Sequence, residues 1–204
     1  MGRAAVAGDQ KKTVQRRARL IFTDESGFLL LPLVRRTLAV QGHTPVLRHR
    51  ARHRDKVSVA AALTLSPVQG HVSLYYQTFP NQYVNGEIYA RFLRRVVLRH
   101  VPQATVLVHD RGSMHKGQHL RTLCAEFPRL DVNPLPPYAP ELNPVEQLWN
   151  FEKDKELCNF VPRDVQQLNA TVENHLQEVR HDQSRLRSFF AATPLPWDGL
   201  TVFF

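Results

Sequence analysis

Residues 135–150, LPPYAPELNPVEQLWN, set four prolines in and ahead of a segment with helical character. Proline has no N–H for a sheet ladder and restricts the residue before it, so Pro136, Pro137 and Pro140 make a stiff, extended connector. Asn143 reads as the N-cap of the helix that follows and Pro144 as its first residue, with Glu146 in the first turn. The connector therefore delivers one carboxylate to a fixed position. Glu146 either completes a capping box, which uses this third helical position, or forms part of an active site. A glutamine caps equally well but binds a divalent cation poorly, so the two readings are separable.

Composition narrows the field. With 204 residues, 43% of them apolar and 22% charged, the chain can build one domain with a full core. No apolar run approaches the roughly 20 residues that span a bilayer, so no membrane partner is expected. The opening MGRAAVAGDQKK lacks an apolar signal core, and Cys124 and Cys158 read as free thiols of a reducing compartment. The expected location is cytoplasmic. Net charge is +9, and residues 1–56 hold 13 Lys/Arg against 4 Asp/Glu while the remainder is balanced. A solvated surface accounts for one basic run. Two runs, KKTVQRRAR and RHRARHRDK, point instead to a polyanion, most commonly nucleic acid.

Periodicity gives the organisation. Residues 1–17 read as a basic tail or linker, 18–190 as the domain and 191–204 as an apolar tail that packs on the core or a partner. Leu20–Phe22 is a short apolar strand ending at the acid pair Asp24-Glu25. RRTLAVQGHTP reads as a strand closed by a glycine turn. VSVAAALTLS and HVSLYYQTF read as a strand pair turning around Pro67 and Gly70. Val84, Ile88, Phe92, Leu93, Val96 and Val97 share a helical face, and Thr105–Val108 is a buried strand with His109 and Asp110 at its carboxyl end. A short helix around GQHLRTLCAEF, a strand in LDVNPLP, the Pro144 helix and a helix with Val165, Leu168, Val172, Leu176 and Val179 on one stripe complete the reading. Strands first, then strands alternating with helices, predict a mixed α/β sheet covered by helices.

Sites in such sheets gather beyond the carboxyl ends of central strands, where Asp24 and Asp110 are expected. Each has a plainer reading as a strand-end turn opener. Two adjacent parallel strands ending in aspartate would bring like charges within a few ångströms, which is unfavourable without a cation. Oxygen-only ligands select Mg²⁺ or Mn²⁺, and two such ions serve phosphodiester cleavage or transfer.

LPPYAPELNPVEQLWN, together with FTDESGF at Asp24, the block RRTLAVQGHTPV, and VHDRGSMHKG at Asp110, resembles the signature of mariner-type insertion-sequence transposases of the DDE superfamily. The 35 residues between Asp110 and Glu146 are similar to that group's spacing. The resemblance covers roughly residues 18–190. It implies a ribonuclease-H-like fold, with Asp24, Asp110 and Glu146 as catalytic residues and ligands of Mg²⁺ or Mn²⁺. It also implies DNA partners (transposon ends and a TA target), cleavage followed by strand transfer from the freed 3′-hydroxyl, and a nucleoid-associated place of work. Only about 20 residues precede Asp24, so the family's N-terminal helix–turn–helix region is expected to be missing here, and a homodimer or a partner supplying that region is expected. The chain departs from the family at Leu38, where Trp is usual, and at Arg111, where a small residue or amide is usual.

The residues expected to face DNA are Arg48, Arg50, Arg52 and Arg54, which alternate as if along one strand face, and Lys56, with Arg111, His115 and Lys116 beside Asp110; a plain basic surface hairpin is the rival reading of the arginines. His115 has a second reading, fixing the Asp110 loop. Glu25 would point to the opposite sheet face from Asp24 if the strand continues. Leu148 and Trp149 read as core, and Tyr138 as core or a DNA contact. The expected activity is that of a transposase catalytic domain. The alternatives are a catalytically inactive DNA-binding or assembly remnant of a decayed transposon, and a ribonuclease or junction nuclease on the same fold.

Overall fold

The computed structural model describes residues 18–48, 55–66, 70–195 and 197. Its centre is a five-stranded sheet: β1 (Arg19–Leu29), β2 (Lys56–Leu65), β3 (Val72–Pro80), β4 (Thr105–His109) and β5 (Leu130–Pro134), in spatial order β3-β2-β1-β4-β5. β1, β2 and β3 form an antiparallel meander, while β4 and β5 join parallel to β1. The helices are α1 (Gly86–Phe92), α2 (Gln118–Glu126), α3 (Pro144–Phe151), α4 (Val165–His181) and α5 (Gln183–Ala191). α1 and α3 each run on into a π-helical turn, Leu93–Val97 and Glu152–Glu156.

Alternation along β1 sorts the core into two layers. Leu20, Phe22 and Phe28 face α3, α4 and α5, in a cluster with Leu148, Trp149, Leu176 and Phe190. Ile21 faces the other way, with Tyr89, Phe92, Leu107 and Leu123 under α1 and α2. The sheet is thus covered on both sides, the mixed α/β architecture expected from the sequence. The α4 stripe Val165, Leu168, Val172, Leu176, Val179 is buried as its period requires. Asp164 and Asp182 cap α4 and α5 by accepting from Gln167 N and Arg185 N. The periodicity reading had no element at α5. Leu195 and Trp197 pack on the core, Trp197 edge-on to Phe22 and Phe190.

Two strand expectations are corrected. β1 is eleven residues long rather than three, and runs through Asp24 and Glu25 because β2 pairs with it along nearly its whole length. RRTLAVQGHTP is not a strand: it is irregular and exposed, with Leu38 at 99% accessibility. Alternating apolar residues make a strand where a sheet edge accepts them, and among the described residues none pairs with this segment. It is tied down at its start instead, by Asn159 N donating to Leu33 O and by an Arg35–Asp154 ion pair.

Glu152, in the turn that extends α3, is fully buried, and neither carboxylate oxygen has a hydrogen bond among the described residues. Burial, then the negative Glu156 and Glu178, raise its carboxyl from 4.5 to about 8. A raised acid contributes stability below its unfolded value that is lost as pH climbs toward its folded value. Glu152→Gln, which carries no charge, is expected to raise the melting temperature at pH 9 and leave it nearly unchanged at pH 4. The gain at high pH is on the order of 3 kcal/mol. Thermal melts at the two pH values check this; equal shifts at both would contradict it.

Candidate active site

The β1–β4 register sets the site. The last paired residues are Phe22 and Val108, so Asp24 and Asp110 each stand two residues beyond that pair. Asp24 lies on the Leu20–Phe22 side of the sheet, facing α3. There Trp149 Nε1 donates to Asp24 Oδ2 at 2.9 Å. Trp149 is therefore core, as expected, and also a direct partner of Asp24, which spacing alone did not reveal. Burial first, then the negative charges of Glu146 and Glu25, push the Asp24 carboxyl up from 3.8 to about 8.

α3 starts at the Asn143-Pro144 pair as expected, but the connector ahead of it is not extended: it turns at Tyr138 and makes a 3₁₀ turn over Pro140–Leu142. Asn143 caps it through Oδ1, accepting from Val145 N, and its Nδ2 donates to Thr23 O on β1, which fixes the helix start against the strand carrying Asp24. The capping-box reading of Glu146 fails for a clear reason: Asn143 N–H already donates to Pro140 O. The Glu146 carboxylate is left half-buried in the cleft, raised by burial, with Lys153 opposing and Asp110 reinforcing the rise.

Asp24, Asp110 and Glu146 line one cleft of about 440 Å³, with Arg111, Gly112, Lys116, Asn143 and the connector from Leu135 to Pro140. Arg111 Nε donates to Leu135 O at 2.9 Å, which stitches the loop after β4 to the connector. Arg111 and Lys116 are exposed and supply the positive charge of this cleft. Tyr138, at its rim, is fully exposed with φ +55°, so it is not core.

Asp110 is also held from its other side. Its Oδ1 accepts from Gly112 N at 2.8 Å and lies 2.9 Å from His115 Nε2. His115 Nε2 lies 3.4 Å from Glu25 Oε2, on the sheet face opposite Asp24, where Glu25 was expected. Tyr89 packs edge-on to the His115 ring at 4.4 Å, and Tyr89 Oη and Thr23 Oγ1 are 2.7 Å apart. The DNA contact expected of His115 is corrected: the residue is 4% exposed and turned toward two carboxylates, which leaves its role in the Asp110 loop. Among the described residues, the one group of three potential ligands whose atoms lie within 4.8 Å of one another is His109, Asp110 and His115, not the three acids. Sequence reading named His109 only as the residue before Asp110.

The other basic residues are placed less fully. Arg50, Arg52 and Arg54 lie outside the described residues, and Arg48 is exposed in an irregular segment. Lys56 begins β2, opposite Leu29, and its ammonium sits over the Tyr83 ring. Cys124 and Cys158 are free thiols. Among the described residues, no helix is long and apolar enough to cross a membrane.

Comparison with known structures matches this architecture. A pre-cleavage Mos1 transpososome superposes with a TM-score of 0.66 at 15% identity, over 94% of this chain and 56% of that one. The Mos1 mariner paired-end complex with Mn gives 0.67 at 16% identity, over 95% and 57%. The isolated catalytic domain of Mos1 mariner transposase gives 0.56 at 14% identity, over 94% and 83%. The chain thus has the ribonuclease-H-like fold of these catalytic domains and spans a little over half the length of the transposases in the complexes. No curated protein matches it in sequence. The family of DDE superfamily endonucleases matches residues 19–169, most of the chain, and with the sheet, the connector and the acidic cleft in place, this chain belongs to that family.

Proposed function

We propose that this chain is the catalytic domain of a mariner-type DNA transposase, cutting phosphodiester bonds at insertion-sequence ends and transferring the freed strand to target DNA. The observation that carries the reading is the meeting of Asp24, Asp110 and Glu146, from three separate elements, in one cleft with Arg111 and Lys116. The proposed domain is 18–190, with a basic tail at 1–17 and an apolar tail at 191–204. A second copy, or a partner bearing a helix–turn–helix, would recognise the transposon ends.

The donor set suits a hard divalent cation. It offers carboxylate oxygens alone, and the Asp24 carboxyl is raised to about 8 by burial and neighbouring negative charge, a cost that a cation would remove. Asp24, Asp110 and Glu146 would hold Mg²⁺ or Mn²⁺. When bound, the ions would neutralise the carboxylates and stabilise charge on the attacking and leaving oxygens. This chain's own residues do the rest. Trp149 and Asn143 fix Asp24 and α3, while Arg111 and Lys116 attract the DNA phosphates. The rigid connector shapes one wall of the cleft around the strand.

Asp24→Asn, Asp110→Asn and Glu146→Gln are each expected to lower Mg²⁺- or Mn²⁺-dependent nicking of transposon-end DNA by at least about 10³-fold. Their melting temperatures should stay within a few degrees of wild type. The assay pairs the chain with its end-recognition region. Retained cleavage by Glu146→Gln would return that residue to a structural role.

Trp149→Phe keeps the aromatic packing against Phe28 but removes the donor to Asp24. That hydrogen bond lowers the metal-free Asp24 value, so its loss is expected to favour the protonated carboxyl and weaken Mn²⁺ binding at neutral pH several-fold. Calorimetric Mn²⁺ titration of both proteins checks this; unchanged affinity would contradict it.

A further inference from the structure

We infer a second cation site beside the acidic cleft, formed by His109, Asp110 and His115 and suited to a transition-metal ion of the Zn²⁺ class. β4 ends in His109, and the short 3₁₀ turn Ser113–Lys116 brings His115 back over it, their rings 4.7 Å apart and tilted by 40°. One nitrogen of each imidazole and one Asp110 oxygen lie within 4.8 Å of one another.

The second observation is unmet hydrogen-bonding capacity. Both histidines are 4% exposed, and His109 Nε2 and His115 Nδ1 have no hydrogen-bond partner among the described residues. Neighbouring Glu25 also carries a buried, unpartnered Oε1. Each such atom costs about 1–3 kcal/mol, an expense that natural interiors rarely leave unoffset. Two imidazoles and a carboxylate form a donor set that prefers Zn²⁺ or Co²⁺ over Mg²⁺, unlike the all-oxygen cleft next door. Entry is open through Asp110, whose side chain is 54% exposed. Asp110 belongs to both sites. An ion on the imidazole side would compete for the carboxylate that the cleft needs, and Zn²⁺ would then inhibit. That consequence rests on the proposed function; the site itself does not.

Cobalt titration of the full chain tests it, because Co²⁺ on nitrogen ligands at low coordination number absorbs visible light strongly, while all-oxygen octahedral Co²⁺ does so weakly. Wild type is expected to develop intense bands that saturate at one equivalent and are abolished by Zn²⁺. Asp24→Asn, which removes an acid of the cleft, should keep them. His109→Gln and His115→Gln should weaken Co²⁺ binding by more than about tenfold. Absence of intense bands in wild type overturns the inference without recourse to any variant. Bands that persist equally in both folded histidine variants overturn it too, placing Co²⁺ elsewhere and leaving the imidazoles as hydrogen-bond supports of Asp110. Because Asp24→Asn separates cobalt binding from cleavage, failure here and failure of the transposase reading are distinguishable.

Discussion

The parallel pairing of β1 with β4 is the constraint from which the site follows. Once Phe22 lies opposite Val108, the residues two positions further along must share a neighbourhood, and both are aspartates. A third acid arrives on α3, whose start is fastened to the same strand through Asn143 and Thr23. The cost of this placement appears at the most buried of the three, Asp24, raised to about 8 first by burial and then by the negative charges of Glu146 and Glu25. A rigid frame carrying an unfavourable charge arrangement is preorganised for a ligand that removes the repulsion.

Each acid has a distinct support. Trp149 donates to Asp24, the Gly112 amide and His115 hold Asp110, and the capped, proline-led start of α3 presents Glu146. These contacts come from both faces of the sheet, so the cleft is braced by both cores. Glu152 is a separate case in the π-helical extension of α3: a buried acid with no hydrogen bond among the described residues, its carboxyl raised to about 8 by burial and then by Glu156 and Glu178.

Much of this was legible in the residues. The cap at Asn143 and the α4 stripe follow from local rules, and the structure realises both; the connector is not extended throughout, since it turns at Pro137-Tyr138, where Tyr138 has φ +55°, and makes a 3₁₀ turn over Pro140–Leu142. Strand length was not legible, because β1 extends past Asp24 only through pairing with β2, and its sequence there is polar. The alternation around Leu38 misled for the converse reason: the pattern suits a strand, but no edge among the described residues receives it. Glu146 as a capping-box partner was excluded by a backbone bond, Asn143 N to Pro140 O, that depends on the chain's path through the connector. The partners of Asp24 and Asp110 were hidden because they are distant contacts: Trp149 lies 125 residues from Asp24, and Glu25 meets His115 across the sheet's other face.

Asp24, Asp110 and Glu146 are proposed to converge on a divalent cation in the cleft. Anomalous diffraction from crystals soaked in Mn²⁺ tests it directly. A peak is expected between the Asp24 and Asp110 carboxylates, with Glu146 within reach of it or of a second ion. Crystals saturated with Mn²⁺ that show no peak in the cleft would contradict it.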